Sequence, residues 1–328
     1  MSRTIRWGIL GTGRIARNFA EGLRDAKGAV ASAAGSRTRE SAESFSDELG
    51  IPHRYATYEA LCASTEVDVI YVATPHPLHA SCTRMALERG KHVLCEKPFA
   101  INRREAESMV ALARGKGLFL MEAMWTRFFP IMAQVRAWVA DGAIGEVRMV
   151  SADFGFRTDA DETSRLLDPA LAGGSLLDVG IYPVSFASMV YGRQPESIAS
   201  AATMSPQGID EQCAIAFKYA NGELALLSSA VRTDTPLEAR IMGSDGMIHI
   251  HPPFYKPSKA TLSRPDQADQ TVEIPVGGNG MNYEAEAVTN DILAGRTENA
   301  LMPLDESLAI MGTLDAIRGQ WGMKYPME

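Results

Sequence analysis

The sequence predicts a two-part α/β chain: a parallel sheet covered by helices on both faces, then an open, mostly antiparallel sheet with helices on one face. Three observations predict it. Short apolar strands alternate with helices through the first third of the 328 residues, which is the pattern of βαβ units. After about Trp125, strand-like segments dominate instead. Asn221-Gly222 separates two of those segments, the strongest short-range hairpin signal, so the later strands are expected to be antiparallel.

The elements follow in order. Ile5–Leu10 reads as a buried strand broken at Gly11. Residues 14–24 carry Ile15, Ala16, Phe19 and Leu23 at helical spacing. A second strand covers 30–34 and a third 67–73, which ends in Thr74-Pro75-His76-Pro77. A helix over 80–88 is closed by Gly90, and a fourth strand covers 92–95. Asn102-Arg-Arg-Glu105 resembles a capping box. Behind it Ala106, Met109, Val110 and Ala113 form one helix face that Gly115 is expected to end. Residues 118–121 make a fifth strand. Beyond Pro130–Ala140, a helix, strands are expected over 147–156, 197–204, 214–219, 224–231 and 238–242. Helices are expected near 181–190, 283–294 and 304–321. The boundary between the two domains is placed after residue 122, giving domains 1–122 and 123–328.

Composition excludes several classes. Hydrophobic residues make up 46% and charged residues 22%, as in ordinary soluble proteins. No apolar run approaches the ~18 residues that span a bilayer, and the first residues lack the apolar core of a signal peptide. A cytoplasmic chain without a membrane partner is expected. The net charge of −8 argues against a nucleic-acid partner. Cys62, Cys82, Cys95 and Cys213 form no C-x-x-C pair, so reduced, mostly buried thiols and no metal site are expected.

Gly11-Thr12-Gly13-Arg14-Ile15-Ala16 leaves a strand and opens a helix. Gly11 permits the tight turn, Gly13 lets the backbone approach a pyrophosphate, and Ala16 lets the helix sit close to the sheet. Free N–H groups at the helix start suit the phosphates. The context is that of a Rossmann cradle for a nicotinamide dinucleotide. An NAD site would carry an acid after the second strand to bind the ribose hydroxyl. Here Ser36, Arg37, Thr38 and Arg39 follow it, and their hydroxyls and guanidinium groups suit a 2′-phosphate. NADP is therefore expected, with NAD possible. The competing reading makes Arg37 and Arg39 solvated residues ahead of a helix.

Thr74-Pro75 and His79 follow one parallel strand, and Glu96-Lys97-Pro98 follows the next. Ligands bind at that edge of such sheets. With the glycine motif, and in this order and spacing, these pieces resemble the Gfo/Idh/MocA oxidoreductases across essentially the whole chain. Glu122 to Pro130 and Gly173 to Tyr182 resemble the dimeric dihydrodiol dehydrogenases and NADP-dependent D-xylose dehydrogenases within that family. The resemblance implies a dehydrogenase of CH–OH groups acting on a small molecule: a sugar, a cyclic polyol or a dihydrodiol. It implies cofactor contacts from Thr74, Pro75, His79, Glu96 and Lys97, a catalytic set of Lys97, Tyr182 and Asp178, and a substrate pocket including Trp125, Arg127 and Phe154. It also implies a homodimer, which the many apolar residues of 214–217 and 224–229 support. Pro183 departs from the pattern. A keto-sugar reductase, or a nucleotide-binding regulator without catalysis, are the rivals.

Alone, Tyr182 reads equally well as a packing residue. Asp178 and Tyr182 share a face if both lie on one helix, whereas Pro183 in a first turn would put Asp178 before it. With the resemblance, the chemistry follows. A free phenol, with pKa near ~10, is only ~0.1% ionised at pH 7. A lysine cation within ~4–6 Å favours the phenolate, and the reverse assignment, with Lys97 as the base, stays open.

Overall fold

The structure, a computed structural model, describes residues 3–159 and 164–328. It divides into two compact units, Met1–Phe128 with Gly277–Leu308, and Phe129–Val276 with Ala309–Glu328. The helices, in chain order, are α1 (Arg14–Leu23), α2 (Arg39–Leu49), α3 (Tyr58–Ala63), α4 (His79–Glu88), α5 (Arg103–Lys116), α6 (Pro130–Ala140), α7 (Ile181–Tyr191), α8 (Met281–Leu293) and α9 (Leu304–Gln320).

The first unit is built on strands β1 (Ile5–Leu10), β2 (Ala29–Gly35), β3 (His53–Tyr55), β4 (Val69–Val72), β5 (His92–Glu96) and β6 (Leu120–Ala123). They form one parallel sheet in the order β3-β2-β1-β4-β5-β6. The order reverses between β1 and β4, which opens a crevice at their carboxyl ends. Every residue of β4 is buried, as expected for a strand covered on both faces. In the core the Phe19 ring stacks on Tyr71 at 3.6 Å, with Trp7 tilted 5.2 Å from Phe19.

Three expectations need correction here. The short strand β3 and the helices α2 and α3 lie between the expected second and third strands. β3 has only three residues, too few for a periodic signal. Helix α5 runs past Gly115 to Lys116, and the left-handed residue that stops it is Gly117, with φ +64°. Gly115 costs the helix some propensity but does not end it. The expected second domain also loses residues 277–308, which return to the first unit. There α8 packs on α1, and Trp7 Nε1 donates to Thr289 Oγ1 at 3.3 Å. A helix pattern in the sequence does not say which sheet it covers.

The second unit holds β7 (Val147–Gly155), β8 (Ser197–Met204), β9 (Asp210–Lys218), β10 (Leu224–Ala230), β11 (Ala239–Gly243), β12 (Met247–Ile250), β13 (Lys259–Ser263) and β14 (Gln270–Glu273). Their order is β14-β13-β12-β11-β7-β10-β9-β8. All neighbours are antiparallel except β7 and β10, which are parallel. The sheet is thus mostly antiparallel, as expected, and the one parallel pair arises because β7 is inserted between β10 and β11. The Asn221-Gly222 turn joins β9 to β10, with Gly222 at φ +90° donating to Tyr219 O at 2.9 Å. One face of the sheet is buried through Ile215, Phe217, Ala225, Leu227, Ile241 and Ile248. Helix α7 packs against β7 and β10. The stretch Pro169–Tyr191 is long and apolar enough to cross a membrane, yet 89% of its apolar 18-residue window is buried in the fold, as in a core helix.

Candidate active site

The cradle of the first unit begins where β1 ends. Gly11 holds φ +112°, and a Cβ there would lie 2.6 Å from Ala73 O, so glycine is required by backbone contact. Gly13 differs: a Cβ added to it would meet nothing within 4 Å. Packing does not demand glycine at that position, but a ligand brought against the backbone does. Gly13 is the N-cap of α1 and supplies no side-chain cap, which leaves first-turn N–H groups for phosphate oxygens. Arg14 is exposed and Ile15 half-buried on that turn, while Ala16 is fully buried. The residues therefore fit a dinucleotide.

Thr12 Oγ1 lies 3.4 Å from Ser36 Oγ, which joins the glycine turn to the end of β2. Ser36 is buried and Arg37 exposed. Thr38 is not a phosphate candidate by its hydroxyl alone, since that hydroxyl caps α2 by accepting from Ser41 N at 3.2 Å. Arg39 is exposed and pairs with Glu43 at 3.6 Å along the helix. Of the two arginines, Arg37 stands nearer the Thr12–Ser36 contact in the chain.

The turn after β5 is clamped from several sides. Glu96 accepts from Tyr71 Oη. His79 is fully buried, its Nδ1 lying 2.7 Å from Pro98 O and its Nε2 2.9 Å from Thr74 O. The imidazole thus ties the turn after β4 to the turn after β5, and its burial lowers its proton affinity. The sequence reading gave His79 a cofactor contact; its ring nitrogens instead face these backbone carbonyls. Glu122, at 0% exposure, accepts from Phe99 N at 3.0 Å, and burial pushes its carboxyl up to about 7. Lys97 is half-buried in the middle of this arrangement. Clamping of this kind restricts the directions its side chain can take.

Beyond β6, Trp125 is half-buried at the start of a short 3₁₀ turn, Trp125–Phe128. Arg127 was expected to line a substrate pocket. Its side chain is buried and donates to Glu306 Oε1 at 2.6 Å and to Leu301 O at 3.0 Å. The guanidinium is engaged within the first unit, because a buried cation needs a charged partner.

The second unit carries the other catalytic candidates. Tyr182 is the second residue of α7, directly after a π-helical turn over Leu176–Gly180 that contains Asp178. Both sequence alternatives are thus partly met: Pro183 lies in the first turn of α7, and Asp178 precedes α7 but is already helical. Asp178 is buried, and its Oδ1 accepts from Arg165 Nη1 at 3.1 Å. Phe154, at the end of β7, stacks on Tyr255 at 4.2 Å. The Tyr182 ring lies 5.2 Å from Phe154 and 5.9 Å from Tyr255. Sequence reasoning missed Tyr255 and Arg165. Neither sits in a motif: Arg165 lies 13 residues before Asp178, and Tyr255 comes from the segment after β12. All four cysteines are free and buried. Among the described residues no group of His, Cys, Asp or Glu is arranged to hold a metal.

Comparisons with known proteins concern the fold and the family. Residues 5–124 match the oxidoreductase family with an NAD-binding Rossmann fold, and residues 132–249 match the GFO/IDH/MocA C-terminal domain. The trans-1,2-dihydrobenzene-1,2-diol dehydrogenase of Xenopus tropicalis is 35% identical over 98% of this chain and 99% of its own. The chain belongs to the Gfo/Idh/MocA family. A D-xylose 1-dehydrogenase (NADP(+)) from Hypocrea jecorina is 34% identical over 98% of this chain and 93% of its own. An aldose-aldose oxidoreductase from Caulobacter crescentus, solved with glycerol, superposes with a TM-score of 0.89 at 28% identity, covering 97% of both chains. As a Gfo/Idh/MocA protein the chain is an oxidoreductase with a nicotinamide-nucleotide-binding Rossmann unit.

Proposed function

We propose that this oxidoreductase moves a hydride between NADP and a secondary alcohol of a sugar, cyclic polyol or dihydrodiol, with Lys97 and Tyr182 handling the hydroxyl proton. The observation that carries the reading is the clamped turn that presents Lys97 beside the crevice at the carboxyl edge of the parallel sheet. When bound, the nicotinamide supplies the hydride acceptor, or the donor in the reverse direction. The turn Gly11-Thr12-Gly13 and the start of α1 would hold the pyrophosphate, Ser36 and Arg37 the 2′-phosphate, and Thr74 and Pro75 the nicotinamide end. Lys97 stabilises negative charge on the substrate oxygen as its proton leaves, Tyr182 takes the proton, and Asp178 orients one of them. The dihydrodiol and xylose dehydrogenases that resemble the chain support this substrate class. The test is absorbance of the reduced nicotinamide with NADP⁺ and a panel of D-xylose, other aldoses, cyclic polyols and trans-dihydrodiols, then with NADPH and keto sugars. Turnover only in the second arm would make the enzyme a keto-sugar reductase. Cofactor binding without turnover in either arm would make the chain a nucleotide-binding regulator.

A homodimer through the open face of the second sheet belongs to the same proposal. On that face Ala199, Ala201, Ala214 and Ala216 lie side by side in register, and Leu226 beside them is 50% exposed. Small side chains let a second copy approach closely, and an exposed leucine on a flat apolar platform marks an interaction surface. Light scattering should read twice the 35.5 kDa chain mass, and a stable single-chain species would refute the dimer. A cytoplasmic location is proposed on the four free, buried thiols.

A further inference from the structure

The glycines and serine ahead of Tyr182 are arranged around one buried carboxylate from a distant strand. Asp210 opens β9 and is fully buried. Its Oδ2 accepts from Leu176 N at 2.7 Å and from Ser175 Oγ at 2.8 Å. Ser175 Oγ also lies 3.0 Å from Ser229 Oγ, which lies 3.2 Å from Cys213 Sγ. Gly174 holds φ +110°, and a Cβ there would overlap Asp210 Oδ1. A Cβ on Gly180 would come within 2.8 Å of Ser229 Oγ. Gly173 admits the Arg165 and Leu166 carbonyls, in the same segment that brings the Arg165 guanidinium to Asp178. Each small residue of Gly173-Gly174-Ser175 and Gly180 therefore makes room for a polar group that meets the helix start.

We propose that Asp210 is a positioning residue for proton transfer: its carboxylate anchors the first turn of the helical segment that carries Asp178 and Tyr182, and so sets where those two side chains point. The proposal rests on the assignment of Asp178 and Tyr182 above. The physical basis is the helix N-terminus, where unsatisfied N–H groups and the positive end of the dipole favour an anion. The anchored N–H belongs to Leu176, two residues before Asp178 and six before Tyr182, so a loosened first turn displaces both. Displacements near 1 Å at a reacting group cost about a hundredfold in rate.

The charged and titratable groups that face Asp210 are Arg318 of α9, Tyr325 after it, and Cys213 on its own strand. Arg318 stays charged, bonded to Asp315 and Glu328. The Cys213 thiol is pushed up to about 12 and the Tyr325 phenol well above its ordinary range, both chiefly by burial. Neither changes charge near neutrality. Burial raises the Asp210 carboxyl to about 6, so it is the member of this cluster that titrates there.

Asp210→Asn tests the idea, because an amide oxygen still accepts from Leu176 while the charge is gone. On whichever compound of the panel is turned over, kcat should fall by about tenfold to a hundredfold, with NADP affinity changed less than about twofold. The wild-type limb of kcat that falls below about pH 6 should flatten in the variant. Stability should move the other way. A carboxyl raised by folding weakens the fold as pH rises through its folded value, so at about pH 8 the variant should melt no lower than the wild type. Hydrogen exchange of residues 175–186 should quicken in the variant at neutral pH, a readout that needs no substrate. Ser175→Ala, which removes one of the two donors, should give a smaller change of the same kind. Unchanged kcat and unchanged exchange would overturn the proposal, as would a kcat loss that simply tracks a lower melting temperature. Faster exchange combined with full activity of Tyr182→Phe would instead sink the assignment of Tyr182 and leave the anchoring in place.

Discussion

In the first unit Lys97 stands on a turn held by its neighbours in the parallel sheet: Tyr71 from β4, His79 from the start of α4 and Glu122 from β6. In the second unit Tyr182 stands on a helix start held by Asp210, and through Ser175 by Ser229, with Phe154 and Tyr255 around its ring. The first arrangement repeats the βα architecture, so its parts follow strand ends at regular intervals. The second gathers side chains from β7, β9, β10 and the segment after β12, which no periodic pattern connects. The difference teaches that two residues proposed for one reaction can depend on very different parts of the chain.

The comparison breaks most sharply if either residue proves dispensable. Lys97→Met should lower kcat at least as much as Tyr182→Phe, because it removes the cation that favours the phenolate and stabilises charge on the substrate oxygen. Tyr182→Phe should cost about 10²–10⁴-fold, the usual range for general acid–base groups. Cofactor affinity should change far less than kcat in the tyrosine variant. Steady-state kinetics with measured NADP dissociation constants read both. Near-normal turnover by Tyr182→Phe would make the tyrosine a packing residue of the second unit.

A smaller effect sharpens the account of the first unit. NADP should bind more tightly than NAD by roughly tenfold to a hundredfold, the worth of ~1.5–3 kcal/mol from a charge-assisted guanidinium–phosphate contact. Arg37→Ala should remove most of that preference. Arg39→Ala should remove less, since Arg39 already pairs with Glu43. Isothermal titration with both nucleotides decides it, and equal affinities in the wild type would end the 2′-phosphate reading.

A last effect concerns stability of the clamp itself. Burial pushes Glu122 up to about 7, against ~4.3 for a free glutamate. Between those values the folded chain holds a proton the unfolded chain has released, so this group's contribution is complete below the unfolded value and is lost as pH rises through about 7. Glu122→Gln cannot ionise yet still accepts from Phe99. It should raise unfolding free energy above that pH by at most ~4 kcal/mol, at ~1.4 kcal/mol per pKa unit. It should leave stability unchanged below about pH 4. Denaturant unfolding across pH measures it, and a pH-independent difference would show that the carboxyl is not buried as described.

By itself the sequence determined the strand–helix alternation of the Rossmann unit and the glycine turn after β1, because each rests on local rules, whereas Glu96-Lys97-Pro98 was singled out by its strand end and by family resemblance. Apolar strand runs, a left-handed Gly11 and a cap at Asn102 are decided within a few residues of chain. The Gly173 to Tyr182 segment was legible as a pattern but not as a construction, since its glycines answer to Asp210 and Ser229 far along the chain. Only the tertiary structure decided that α8 returns to the first unit, that β7 pairs parallel with β10, that Arg127 is spent on Glu306, and that Tyr255 stacks on Phe154. The physical reason is common to all four. Hydrophobic periodicity says that a face must be buried and a charge must be paired, but the partner is selected by packing between segments whose separation in sequence leaves no local trace.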